Sequence, residues 1–148
     1  MLKSLALAGA IAAMSVLPAA AELMKIPSQK PVAETMDALQ AAVERAGATV
    51  FARIDHAAGA QKVDLELGDA ELLIFGNPKL GTPAMQADPR AGLYLPLKVL
   101  AYEDADGQVW LTYEDPAEML GGLDIPADAA VIAKMQGAIG KLTGAATQ

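Results

Sequence analysis

An α+β domain is predicted, a two-layer sandwich whose helices pack on one mixed, partly antiparallel sheet. Three features of the sequence lead there. Amphipathic helical patterns lie towards both ends of the chain, and short apolar runs bounded by turn residues cluster in its middle. Two of those runs flank Asp104-Ala105-Asp106-Gly107, a hairpin turn that makes at least part of the sheet antiparallel.

The chain opens on a different signal. Lys3 supplies a positive start, Leu5 to Leu17 is almost unbroken apolar sequence, Pro18 interrupts it, and Ala19-Ala20-Ala21 offers the small side chains that signal peptidase accepts. The apolar run is shorter than the roughly 20 residues that cross a bilayer. Residues 1–21 are therefore predicted to be a signal peptide cleaved after Ala21, and 22–148 a single exported domain, periplasmic or secreted, with no membrane partner after cleavage.

Within that domain Leu23 to Ile26 is a short strand. Pro31 to Ala46 reads as a helix, with Val32, Met36, Leu39, Val43 and Ala46 on one stripe, Glu34, Asp37, Gln40 and Glu44 on the other, and Gly47 as its stop. Ala48 to Asp55 alternates as a strand, placing Val50, Ala52 and Ile54 on one face and Phe51, Arg53 and Asp55 on the other. Gln61 to Leu67 fits either period and is read as a short helix; Leu72 to Phe75 is a buried strand stopped by the turn Gly76-Asn77-Pro78. Thr82-Pro83 has the form of an N-cap and first-turn proline, for a short helix through Met85. Leu97 to Tyr102 and Gln108 to Tyr113 are the hairpin strands. Asp115-Pro116 with Glu118 opens a brief helix that stops at Gly121-Gly122, and Pro126 to Leu142 is the last helix, with a loose tail after Gly144.

Composition narrows the chemistry. The 148 residues contain no Cys, which removes disulfides, thiol nucleophiles, thiolate zinc and iron–sulfur sites, so apolar burial alone must hold the fold. The net charge of −7 becomes −8 once Lys3 is lost, and with 4% aromatic residues the surface lacks the cations and stacking rings that nucleic acids require. No nucleic acid partner is expected.

Three segments resemble a known family. They are Ala52 to Ala60 (Ala-Arg-Ile-Asp-His-Ala-Ala-Gly-Ala), Leu72 to Lys79 (Leu-Leu-Ile-Phe-Gly-Asn-Pro-Lys) with the later Leu95-Pro-Leu-Lys98, and Asp106-Gly-Gln-Val-Trp110. Together they resemble the family called domain of unknown function 302, from about Thr35 to Pro116. The resemblance implies a compact fold with helices against one sheet and favours the helical option near Gln61. It implies no activity, cofactor or catalytic residue.

Candidate chemistry therefore rests on individual side chains. His56 is the one histidine, at a strand end, and Asp55 is its candidate orienting carboxylate for acid–base catalysis; neighbours on a strand diverge, so the pair requires a bend there. Without an HxH or HExxH spacing, no metal site is predicted, and Met24, Met36, Met85, Met119 and Met135 are assigned to core packing rather than copper binding. No cofactor is expected. Asn77, Lys79 and Thr82, on a loop entering a helix, form a second constellation; with Arg53 and Arg90 nearby, free backbone N–H groups there would suit a small anion. Trp110, Tyr102 and Tyr113 on the hairpin fit cross-strand pairs, a pocket wall or a dimer surface. The leading expectation is a small binding domain holding a small-molecule ligand, an anion among the options, through the His56 and Asn77 loops. The alternatives are a hydrolase or lyase using His56, and a self-associating structural protein that forms a homodimer.

Overall fold

A computed structural model describes residues 23–148; the predicted signal segment lies outside the described residues. The elements are β1 (Leu23–Ser28), α1 (Val32–Arg45), β2 (Thr49–Asp55), α2 (His56–Gln61), β3 (Ala70–Gly76), α3 (Pro78–Ala87), a 3-10 turn (Pro89–Leu93), β4 (Leu97–Glu103), β5 (Val109–Glu114), α4 (Pro116–Leu120) and α5 (Ala130–Ala146). The five strands form one open sheet in the order β1-β5-β4-β3-β2, and every neighbouring pair is antiparallel. The class is α+β as expected, but the sheet is antiparallel throughout the described residues rather than mixed.

Side-chain alternation explains the layering. Leu73 and Phe75 on β3, Leu97, Val99 and Ala101 on β4, and Val109, Leu111 and Tyr113 on β5 point to one face and are buried beneath α1 and α5. From α1, Val32, Met36, Leu39 and Val43 meet them, spaced four, three and four apart as a helical stripe requires. From α5 come Ile132, Met135, Ile139 and Leu142. On the opposite face Leu72, Ile74, Leu100, Tyr102 and Trp110 are half-buried. Lys25 crosses that face with its Nζ 5.5 Å from the ring centres of both Tyr102 and Trp110.

Four local expectations are corrected. In β2 a bulge between Val50 and Ala52 breaks the period of two: Val50 pairs with core-facing Phe75, whereas Ala52 and Ile54 pair with Ile74 and Leu72 of the opposite face. The helix placed at Gln61 to Leu67 instead covers His56–Gln61, because Asp55 caps it by accepting the Ala58 N–H at 2.8 Å; Val63, Leu65 and Leu67 follow in an exposed turn and loop. Gly76-Asn77-Pro78 is a helix start rather than a free turn, so Thr82 and Pro83 lie inside α3. The last helix begins at Ala130 and runs through the supposed tail to Ala146, where Lys30 Nζ holds its C-terminal end through the Ala146 and Gln148 carbonyls at 3.1 and 2.5 Å.

A candidate binding cavity at one end of the sandwich

Each sequence-derived candidate has a definite place. Asp55 gives its carboxylate to the α2 N-terminus, not to the imidazole, and His56, the first residue of α2, is exposed. The bend that would join the two is thus the helix start itself, and the cap takes the acid. Arg53 is a clamp: its Nε donates to Glu71 Oε2 at 2.6 Å and its Nη1 to Asp37 Oδ1 at 2.5 Å, tying α1 to the edge of the sheet. The Glu71 hydrogen bond is the main reason its pKa is raised. Arg90 donates from Nε and Nη2 to Asp88 and from Nη2 to Asp124 at 3.2 Å. Asp88, 4% exposed, also accepts the backbone N–H groups of Arg90 and Asp124; these bonds, the Arg90 guanidinium foremost, hold its carboxyl well below the usual range.

The anion site expected at Asn77 meets a local obstacle. Pro78 has no N–H, the Lys79 N–H donates to Asn77 Oδ1 at 2.9 Å, and those of Leu80 and Gly81 donate to the Asn77 carbonyl at 2.9 and 3.0 Å. The donors that would face an anion already have partners. Lys79 is exposed, and among the described residues the ion pairs involve Arg53 and Arg90 only.

Asn77 and Thr82 do share a wall, of a kind the sequence did not announce. A cavity of about 290 Å³ opens where the start of α3, the bulge of β2, the loop before β4 and the middle of α5 meet. Phe51, Phe75, Leu80, Met85, Leu95 and Met135 are among its apolar lining; Asn77 and Thr82 are its polar side chains, and no charged side chain lines it. Two glycines stand in its wall, each with room for a side chain's first carbon: a Cβ on Gly76 would be in ordinary contact 3.4 Å from Pro96 and 3.5 Å from the Phe51 ring, and one on Gly92 would lie 3.5 Å from the Met85 sulfur. Phe51 is the extra residue of the bulge, with no register partner on β3, and is 58% exposed where it lines the cavity.

Of the five methionines assigned to the core, Met36, Met119 and Met135 are buried there; Met85 is partly exposed at the cavity and Met24 is exposed on β1. The apolar Phe51 and the pair Leu93-Tyr94 were the available signals for the mouth, and the period of two misplaced Val50 rather than Phe51. Among the described residues no group of His, Asp and Glu could hold a metal ion.

A one-sided, helix-covered antiparallel sheet with an apolar cavity at its end defines the class of domain. Across residues 24–142 the chain matches the family model described as domain of unknown function DUF302, and it belongs to that family. Among solved structures, an uncharacterized conserved DUF302 protein from Bacillus stearothermophilus superposes with a TM-score of 0.76 at 16% identity, covering 85% of this chain and 98% of that one, a likeness of fold. Two curated relatives, each called fluoride-specific ion channel FluC 1, come from Brucella suis biovar 1 and Brucella abortus biovar 1. Both are 43% identical over 117 residues, 78% of this chain but only 46% and 43% of the relatives. The chain spans less than half the length of these proteins. Among the described residues no helix is long and apolar enough to cross a membrane.

Proposed function

We propose that the chain is an exported binding module for a small, uncharged and largely apolar molecule. The observation that carries this reading is the cavity's lining: apolar side chains on nearly every wall, two neutral polar groups at Asn77 and Thr82, and no charge. Its 290 Å³ is about twice the roughly 150 Å³ of an apolar cavity that admits benzene, so a ligand of about 10–17 non-hydrogen atoms fits. Fluoride, the ion in the Brucella relatives' name, has no counterpart in such a lining, and the carboxylate that would orient His56 for catalysis is held by the Ala58 N–H. A binder suits these features better than an enzyme.

The uncharged fluorophore N-phenyl-1-naphthylamine tests the cavity. It is expected to bind saturably and, at 100 times its Kd, to stabilise the fold by about 2.7 kcal/mol. Ala138→Phe, on the α5 wall, should abolish binding without unfolding the protein. Saturable binding that persists unchanged in that variant would remove the cavity from consideration. Export is part of the same proposal and rests on Lys3, Leu5 to Leu17 and Ala19 to Ala21. N-terminal sequencing of the protein recovered from its native cell should begin at Glu22; an intact Met1 end would refute the export reading.

A further inference from the structure

The mouth of the cavity carries more exposed apolar surface than a ligand of that size can cover. Leu93 is 83% exposed, Phe51 58%, Tyr94 38% and Met85 37%. Phe51 and Met85 line the cavity, while Leu93 and Tyr94 fill the short span between its lining residues Gly92 and Leu95. Charge is distributed to match. From Gly76 to Lys98, the segment that frames the mouth, three cations (Lys79, Arg90 and Lys98) stand against one acid, Asp88, whereas the rest of the chain carries eight cations against seventeen acids. Arg90 is engaged by Asp88 and Asp124, but Lys79 and Lys98 are exposed and, among the described residues, outside every ion pair.

We infer that this mouth docks on an anionic lipid surface, and that the cavity takes its apolar ligand from the bilayer. The inference rests on the proposed apolar binding function and names the source of its ligand. Leu93, Tyr94 and Phe51 enter the interface between headgroups and acyl chains, where an aliphatic side chain and the amphipathic tyrosine ring are both at ease. Lys79, directly after the lining Pro78, meets the phosphates, and Lys98, paired with Ile74 on the outer face of β4, adds its charge at the same end of the sheet. The strongly acidic remainder is repelled by the same surface, so the molecule approaches mouth first. Net charge alone argues against a membrane partner; its local reversal around an apolar opening argues for one.

Co-sedimentation of residues 22–148 with vesicles decides the matter. Vesicles of equal parts phosphatidylcholine and phosphatidylglycerol should bind the protein, with affinity falling as salt rises, and vesicles of phosphatidylcholine alone should bind it about tenfold more weakly. Leu93→Asp should remove vesicle binding, and Lys79→Glu with Lys98→Glu should reduce it about tenfold. None of these residues lines the cavity, so N-phenyl-1-naphthylamine binding should be unchanged in both variants, and that readout also shows that they fold. Absence of vesicle binding, or binding indifferent to both variants, overturns the inference while leaving the cavity assay to judge the binding function separately.

Discussion

Asp88 joins two parts of the chain distant in sequence, gathering the Arg90 side chain and the Asp124 backbone into one buried knot. Because its pKa is lowered in the folded state, its contribution is fully present above the unfolded value near 3.8 and is lost as pH falls towards the folded one. Asp88→Asn should therefore lower the thermal midpoint by a constant amount between neutrality and mild acid, and the gap to wild type should close below pH 3.8; a gap that widens on acidification would contradict this. Asn77 acts through one hydrogen bond. Asn77→Ala should lose about 1 kcal/mol in a urea titration, the ordinary effect of removing an N-cap. Deeper in the core, the Ser28 and Thr35 hydroxyls are hydrogen-bonded at 2.7 Å, with Thr35 fully buried. Thr35→Val strands a buried partner and should cost about 1–2 kcal/mol in the same measurement. None of these roles could be read from residue type, because each depends on which donor the fold brings to a given oxygen.

Among the elements, α1 was the most legible. Its stripe from Val32 to Val43 is long enough for one face to be unambiguous, and Gly47, with φ of +72°, stops it as glycine can and alanine cannot without strain. Gly47→Ala should cost about 1 kcal/mol, and Met36→Ala, which empties a fully buried site, about 2–5 kcal/mol by chemical denaturation. Strand β2 was harder. Its alternation is real on both sides of Phe51, but one extra residue reverses the faces, and the hydrogen-bond pattern opposite Phe75 and Ile74 is what shows it. α2 and α3 were misplaced for a shared reason. Asp55 and Asn77 both look like the ends of strands, and their role as caps emerges only once the following N–H groups turn towards them.

For the molecule as a whole, the open sheet leaves β1 and β2 as edges, and both are blunted: β1 carries Pro27, which has no donor, and Lys25, while β2 is bent by its bulge. Replacing Pro27 and Lys25 together by Val should increase the association seen by light scattering; a pair of edge variants as monodisperse as wild type would show that another feature protects the sheet. The homodimer considered from the hairpin aromatics finds Lys25 lying over Tyr102 and Trp110 on that face. Trp110 is further fixed by its indole N–H to Asp104 Oδ2 at 2.8 Å, the main reason the Asp104 pKa is lowered.

The α+β class, the hairpin, the helical stripe of α1 and the kinship with the DUF302 family were all present in the linear order of residues, since each depends on periodicity, turn chemistry or local motif. The cavity was not. Phe51, Phe75, Met85, Leu95 and Met135 come from five separate stretches, and their common surface exists only because a bulge, two helix caps and the packing of α5 bring them to one end of the sheet. Apolar side chains carry no address in sequence: whether they fill a core or line an opening is decided by the space that their neighbours leave.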